Sequence, residues 1–322
     1  MGDQASMNAK VLLTGGLGYV GGRVALALNE AGHVVRCGTR HAGLSAPVWF
    51  PNMQMTHLDW GSLESLGLAC QGVDCVVHLA AMNEVESATD PVGALEMNGV
   101  ASLRLLEAAK AVGVRRFIYF STAHVYGAPL QGDIDETTLP RPVHPYAITH
   151  KVAEDFVLAA HDRKQIEGVV IRLSNGFGAP VTPDVDRWTL LVNDLCRQAA
   201  TTGELRLNSA GTQLRDFLTL GDVARAVDHL LRLDAGQLAD GLFNLGSGKA
   251  MSILEMTERI AARWQVLTGR DIAIVRPVGD GVLPPALNYH CEKLAATGFM
   301  LTSQVDREID DTLQLCLQAF VK

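Results

Sequence analysis

The residues Val11 to Gly22 (Val-Leu-Leu-Thr-Gly-Gly-Leu-Gly-Tyr-Val-Gly-Gly) constrain this chain more than any other stretch. A short apolar run ends at Thr14, meets glycines at 15, 18 and 21, and passes into an amphipathic segment, Tyr19–Asn29. That pattern is a buried strand turning directly into a helix. Each glycine has its own task. Gly15 permits the turn, Gly18 lets backbone N–H groups approach a pyrophosphate, and Gly21 lets the helix pack closely on the strand. The phosphates then sit at the positive end of the helix, against its first residues Tyr19 and Val20. The stretch reads as a dinucleotide cradle.

Beyond the first helix the chain keeps alternating between strand-like and helix-like segments. Val34–Thr39, Met53–Leu58, Cys75–Ala80, Phe117–Ser121 and Val169–Leu173 are short apolar runs, and amphipathic segments such as Val92–Val112 and Tyr146–Ala160 separate several of them. Near-continuous apolar strands indicate a parallel sheet covered on both faces. The expected fold is α/β: a doubly wound parallel sheet of Rossmann type with a smaller C-terminal lobe. Residues 9–173 form mainly the dinucleotide-binding domain, and 174–322 mainly the substrate-binding lobe, with some strands and helices returning to the first domain. In the second part the alternation loosens into Trp188–Ala200, Asp222–Leu233 and Ile253–Thr268 as helices, with strand-like Leu205–Leu207 and Ile272–Arg276.

Ligands of such sheets bind beyond the carboxyl ends of the strands. The second strand ends Cys37-Gly38-Thr39-Arg40, without the acidic residue that binds a ribose 2′-hydroxyl in NAD-preferring proteins. Thr39 offers a hydrogen bond and Arg40 a charge to a 2′-phosphate, so the expected cofactor is NAD(P), leaning to NADP. Asp59 reads either as acceptor for the adenine amino group or as a turn-forming aspartate. The fourth strand ends Val77-His78-Leu79-Ala80-Ala81, where the small residues after His78 let the backbone lie along the cofactor. His78, between apolar neighbours, reads as a core histidine. Asn98, inside a helix starting near Pro91, costs helix propensity and points to a specific hydrogen bond.

The excluded classes emerge from charge and hydropathy. A net charge of −8 with no Lys/Arg-rich block argues against nucleic acid and anionic membranes as partners. No apolar stretch is long enough to span a membrane, and Met1–Asn8 reads as a polar leader without a signal-peptide core. The six cysteines form no CxxC pair and mostly lie in apolar runs, as reduced thiols do, so a cytoplasmic protein without a bound metal is expected.

Two further stretches carry chemistry. Phe117 to Gly127 places the hydroxyls of Ser121 and Thr122 at a strand end, and Pro145-Tyr146-Ala147-Ile148-Thr149-His150-Lys151 places a tyrosine at a helix start. With these, the chain resembles the extended short-chain dehydrogenases/reductases of the nucleotide-sugar epimerase/dehydratase family. The likeness includes the Thr-Gly-Gly-x-Gly-x-x-Gly turn, His-Leu-Ala-Ala at 78–81, Ser-Thr-x-x-Val-Tyr-Gly at 121–127, Arg172 to Gly178, Arg215-Asp216-Phe217 and Asn244-Leu-Gly246. It implies that Tyr146 is the acid/base for a sugar hydroxyl and that Thr122 orients that oxygen. Asn175 and Arg215 would contact a diphosphate, and Arg276 would be a second phosphate-binding arginine, the match over Arg276–Asp280 being loose. Arg215 reads alternatively as an ion-pair partner of Asp216.

The family's usual motif is Tyr-x-x-x-Lys, whose lysine contacts the nicotinamide ribose and lowers the tyrosine pKa. Here His150 holds that position. Lys151 is one residue late, about 100° around the helix, and should point elsewhere. His150 is expected to support a retuned catalytic site. Sugar 4,6-dehydratases of the family carry Asp-Glu where this chain has Ala123-His124, so 4,6-dehydration is disfavoured, while His124 reads as a substrate contact or an exposed residue. The implied function is hydride transfer at C4 of a nucleoside-diphosphate sugar by an epimerase. An NADPH-dependent 4-keto-sugar reductase is the alternative, and a non-catalytic dinucleotide-binding regulator is the reading from another class. The resemblance also implies a homodimer through a four-helix bundle of Val92–Val112 and Tyr146–Ala160, whose surplus apolar residues include Phe156, Val157 and Leu158.

Overall fold

A computed structural model describes residues 8–279 and 284–321. Apart from Asn8, the leader lies outside the described residues, as does Asp280, where the loose match after Arg276 ends.

The apolar runs form one seven-stranded parallel sheet. Its spatial order is Leu242–Leu245, Glu167–Leu173, Arg116–Thr122, Cys75–His78, Lys10–Thr14, Val34–Thr39 and Gln54–His57. Val11 to Leu13, Cys75 to Val77, Phe117 to Ile118 and Val169 to Ile171 are sealed from solvent on both faces, which is why their sequences read as unbroken apolar runs. One face packs on the helices Tyr19–Glu30 and Leu220–Arg232, the other on Leu63–Cys70, Ser102–Ala111 and Pro145–Asp162. The strand order reverses between Lys10–Thr14 and Cys75–His78, with Thr14 directly beside His78. A crevice opens at such a point, beyond the carboxyl ends of these two strands.

The expected helices are present with shifted limits. The segment read as Val92–Val112 is Pro91–Ala94, a π-helical stretch Leu95–Ala101, and Ser102–Ala111. The helix expected from Trp188 begins at Leu191. The Trp188 indole instead donates to the Pro183 carbonyl (2.9 Å) and packs edge-on against Phe320. The helix expected from Asp222 starts at Leu220, because the Thr219 side chain caps it through the Asp222 N–H (3.2 Å). The strand Leu242–Leu245 returns to the main sheet, pairing with Glu167–Leu173.

A separate apolar cluster, including Phe177, Trp188, Leu195, Phe217, Ile260, Trp264, Ile309 and Leu313, holds the C-terminal helices around a three-stranded sheet of Asn175–Phe177, Leu214–Thr219 and Ala250–Ser252. Arg23 ties that lobe to the first helix through both carboxylate oxygens of Glu308 (2.9 and 2.6 Å) and the Ala179 carbonyl (2.9 Å).

Candidate active site

The glycine turn lies at the mouth of the crevice, and its geometry excludes side chains. Gly15 has φ +70°, and a Cβ there would come within 2.9 Å of the Ala80 nitrogen. At Gly21 a Cβ would sit 2.0 Å from the Gly15 carbonyl oxygen, so helix and turn touch backbone to backbone. Gly18 caps the helix N-terminus, its N–H donating to Gly15 (2.9 Å). Tyr19, at the first helical position, is buried and donates to the Gly178 carbonyl (2.8 Å), so its ring fastens the turn to the lobe. Val20 packs partly buried against the core. The Thr14 hydroxyl bonds His78 Nδ1 (2.6 Å) and accepts from the Ala80 N–H (3.3 Å), drawing the Leu79-Ala80-Ala81 segment against the turn. Backbone donors, a helix N-terminus and a floor of small residues fit a dinucleotide pyrophosphate.

His78 is the core histidine expected. Its Nε2 pairs with Ser102 Oγ (2.8 Å), and burial, reinforced by His150, holds the imidazole down to about 3. At the second strand end, the Thr39 hydroxyl accepts from the His41 N–H (3.2 Å) and Arg40 is exposed. Asp59 accepts from the Gly61 N–H (2.9 Å), as a turn-forming aspartate does.

Asn98 makes the specific hydrogen bonds its position called for. Its Oδ1 accepts from the Met82 N–H (2.7 Å), and its Nδ2 donates to Thr149 Oγ1 (3.0 Å). Thr149 in turn donates to the Pro145 carbonyl (2.9 Å). The π-helical turn sets the amide where it joins the Ala80–Met82 segment to the start of the Tyr146 helix.

Thr122 ends the strand Arg116–Thr122, its hydroxyl accepting from the His124 N–H (3.2 Å). Tyr146 lies at the start of Pro145–Asp162, where Pro145 opens the helix and His144 Nδ1 caps the Tyr146 N–H (3.2 Å). Burial pushes the Tyr146 phenol well above its ordinary range, the Glu84 carboxylate adds to this, and Arg187 opposes it. Arg187 and Glu84 form an ion pair of 3.5 Å. One helical turn on, the His150 ring stands edge-on to Tyr146 with centroids 4.4 Å apart. His150 is buried and held down to about 4 by burial, with the Phe120 backbone opposing. Lys151 does point elsewhere, to Asp155 and, at 4.0 Å, to Glu154.

His124 is neither a simple exposed residue nor fully enclosed. It is half-buried, burial lowers its pKa, and its Nδ1 has no partner. Ser121 Oγ, His150 Nε2 and Arg172 Nη1 are likewise buried without a hydrogen bond among the described residues. Ser121 and Arg172 are register partners on adjacent strands, and Thr122 and His124 lie just past Ser121. Four of the five unmatched buried side-chain atoms among the described residues thus lie near the sheet's carboxyl edge, the fifth being His161 Nδ1 near the end of the helix Pro145–Asp162. Since polar atoms are rarely left unmatched in an interior, this edge is the candidate ligand site.

Arg215 does not pair with Asp216. The buried Asp216 carboxylate accepts from Ser174 Oγ (2.6 Å), the Ser247 N–H (2.8 Å) and Ser247 Oγ (2.8 Å). Among the described residues Arg215 hydrogen-bonds Gln213 Oε1 (3.2 Å) alone, and burial lowers its pKa. Among the described residues it has no carboxylate partner. Asn175 donates to the Asp216 carbonyl (3.0 Å), on the strand beside Arg215. Arg276 is exposed and donates to the Ala210 carbonyl (3.1 Å).

The model of the NAD dependent epimerase/dehydratase family matches residues 11–246, which include the cradle, both hydroxyl-bearing elements and Arg215. The chain belongs to that family. It is 30% identical to a UDP-glucose 4-epimerase of Rhizobium leguminosarum bv. trifolii over 276 residues, covering 76% of this chain and 79% of the relative. A UDP-glucose 4-epimerase of Azospirillum brasilense is also 30% identical, over 81% of this chain and 79% of its own. Among solved structures, MoeE5 in complex with UDP-glucose and NAD superposes with a TM-score of 0.74 at 27% identity, over 96% of this chain and 99% of that one.

Sequence reasoning missed Tyr119, whose hydroxyl bonds His150 Nδ1 (2.7 Å), and the buried Arg172–Glu154 pair (2.8 Å). Tyr119 looks like one more apolar residue in a buried strand. Its partner is distant in sequence, so no local spacing reveals it. No helix among the described residues is long and apolar enough to cross a membrane.

Proposed function

We propose that this chain is an NAD(P)-dependent 4-epimerase of a nucleoside-diphosphate sugar. The observation that carries the reading is the group of unmatched buried polar atoms Ser121 Oγ, His124 Nδ1, His150 Nε2 and Arg172 Nη1 around the carboxyl end of the strand Arg116–Thr122, where Thr122 lies and where His150 meets Tyr146. The UDP-sugar relatives support a uridine diphosphate sugar as the substrate.

The glycine turn, the helix N-terminus and the Leu79–Ala81 backbone would hold the dinucleotide. Bound in its oxidised form, that group would supply a hydride acceptor and a positive charge. Tyr146 takes the proton of the sugar C4 hydroxyl as the C4 hydride departs, because loss of the proton makes the carbinol carbon a better hydride donor. Thr122 holds the same oxygen. With the keto sugar turned over, Tyr146 returns the proton as hydride re-enters the opposite face. Arg215, without a carboxylate partner among the described residues, binds the diphosphate through paired guanidinium donors, with Asn175 on the neighbouring strand and Arg276 as a second phosphate contact. The lobe of residues 174–322 is read as the substrate-holding part.

The exposed Arg40, next to Thr39 and with no acidic side chain at the strand end, favours NADP over NAD. The same feature supports the second reading, an NADPH-consuming 4-keto-sugar reductase. Val92, Leu95, Val100, Ile148 and Phe156 are exposed on the two facing helical segments, which supports a homodimer through a four-helix bundle. Of the surplus apolar residues, Val157 packs into the sheet core and Leu158 partly against it, so Phe156 is the one left for a partner.

The test is incubation of the chain with NAD or NADP and a panel of UDP- and dTDP-sugars, with products separated by chromatography. A C4 epimer formed without net nucleotide consumption supports the epimerase. Stoichiometric NADPH oxidation with a 4-keto sugar favours the reductase, and no product from any sugar rejects both.

A further inference from the structure

The pair formed by Tyr119 and His150 bridges the sheet and the helix that carries Tyr146. Tyr119 lies in the buried strand Arg116–Thr122, and its hydroxyl is 2.7 Å from His150 Nδ1, the one hydrogen-bond partner it has among the described residues. The other ring nitrogen, Nε2, is buried without a hydrogen-bond partner among the described residues, although the Phe120 backbone lies close enough to the ring to favour its charged form. Two neutral arrangements are possible. With the proton on Nδ1, the imidazole donates to Tyr119, and both the phenolic O–H and the Nε2 lone pair are left without partners. With the proton on Nε2, Tyr119 donates to Nδ1 and a single donor, Nε2–H, is left over. Leaving fewer buried polar groups unmatched favours the second.

We propose that Tyr119 is a positioning residue that fixes His150 as the neutral Nε2–H tautomer, so that the helix presents one uncharged donor where Tyr-x-x-x-Lys proteins present an ammonium. The tautomer stands on the pair itself. Its use as a donor to the nicotinamide ribose rests on the proposed function. Protonating His150 would force Nδ1–H toward the Tyr119 oxygen and strand the phenolic proton, so the pair also resists charging. The titratable groups around it give no counter-charge. Tyr146 stands edge-on from the same helix, and His78, itself held neutral, lies beyond Tyr119 with ring centroids 5.7 Å apart. Glu154, one turn further along, is taken by Arg172.

The experiment is long-range 1H–15N NMR of the 15N-histidine-labelled chain, without nucleotide, across pH 5 to 8 (roughly the range in which an unperturbed imidazole titrates). His150 is assigned by the spectrum of His150→Gln. The expected result is a protonated Nε2 and a bare Nδ1 across the whole range. In Tyr119→Phe, which removes only the hydroxyl, the ring should populate both tautomers or take up a proton within that range. A wild-type His150 protonated at Nδ1, or a spectrum unchanged in Tyr119→Phe, overturns the assignment. Should Tyr119→Phe fail to fold, the wild-type spectrum alone still decides the tautomer. Dinucleotide affinity by titration calorimetry is the second readout, with a loss of about two- to tenfold expected in Tyr119→Phe, the scale of one hydrogen bond. A correct tautomer with unchanged affinity would retain the pair and reject the ribose contact. A correct tautomer in a chain that binds no dinucleotide would reject the proposed function instead.

Discussion

Tyr146 and His150 stand one helical turn apart with ring centroids 4.4 Å apart at 66°, so the proposed acid/base group touches an imidazole where the family's pattern has a lysine. His150 is buried and Tyr146 half-buried, and His150 carries no charge near neutral pH. The phenol therefore receives no help from a fixed cation on its own helix. Lys151, the nearest candidate in sequence, is turned to Asp155.

Replacing Tyr146 with phenylalanine should lower kcat by about 10²- to 10⁴-fold, the usual worth of a positioned proton donor and acceptor. KM should change little, and the melting temperature should not fall. Steady-state kinetics with the active sugar check this, and a variant retaining more than a tenth of wild-type turnover would remove Tyr146 from the role.

His150→Lys should keep or raise turnover, because an ammonium one turn from Tyr146 stabilises the phenolate. It should also move the base limb of the kcat–pH profile to lower pH. In the wild type, His150 is held down to about 4, so no inflection near the ordinary histidine pKa should arise from it. Parallel pH profiles of the two proteins test both statements.

Arg215→Ala should raise KM for the nucleotide sugar by about 10- to 100-fold with a smaller effect on kcat, and Arg215→Lys should recover only part of the loss, since lysine cannot make the paired phosphate contact. Because Asp216 is held by Ser174 and Ser247 and not by Arg215, neither variant should disturb folding. Equal losses of stability and affinity would mean that Arg215 is structural.

Gly21→Ala would place a methyl 2.0 Å from the Gly15 carbonyl, and the backbone there cannot yield without opening the turn. The expected outcome is loss of dinucleotide binding together with a destabilisation of about 1–3 kcal/mol, typical of overpacking. Calorimetric titration and thermal unfolding measure the two effects.

Acid should unfold the chain through its buried histidines. His78 and His150 are depressed to about 3 and about 4 and regain an ordinary pKa near 6.5 on unfolding, so the unfolded state binds more protons. The stability from keeping them neutral is fully present above about pH 6.5. It is lost as pH falls, at about 1.4 kcal/mol per pH unit for each histidine, down to the folded pKa. Denaturant unfolding at pH 7, 6 and 5 checks the slope, and His78→Gln should flatten it.

The fold was legible because its determinants are local. Glycines at 15, 18 and 21 after an apolar run leave few structures open, and strands buried on both faces write themselves as apolar runs. The spacing of Tyr146, His150 and Lys151 was enough to place Lys151 on the wrong face. What the sequence hid depends on contacts across the sheet. Tyr119 meets His150, Asn98 reaches Met82 and Thr149, and Arg172 meets Glu154 only after the layers have packed. The Asp216–Arg215 alternative failed for a similar reason. Two serines from separate loops claim the aspartate, and no spacing along the chain announces them.

Hydride transfer at C4 is tested most directly by following the hydrogen on that carbon. The chain is incubated with NAD or NADP and UDP-glucose deuterated at C4, in ordinary water, and the product is read by NMR. The proposed mechanism predicts the C4 epimer with deuterium retained at C4, no net change in nucleotide, and formation about 10²- to 10⁴-fold slower with Tyr146→Phe. Deuterium lost to solvent, or no epimer from UDP-glucose or any other sugar of the panel, would contradict it.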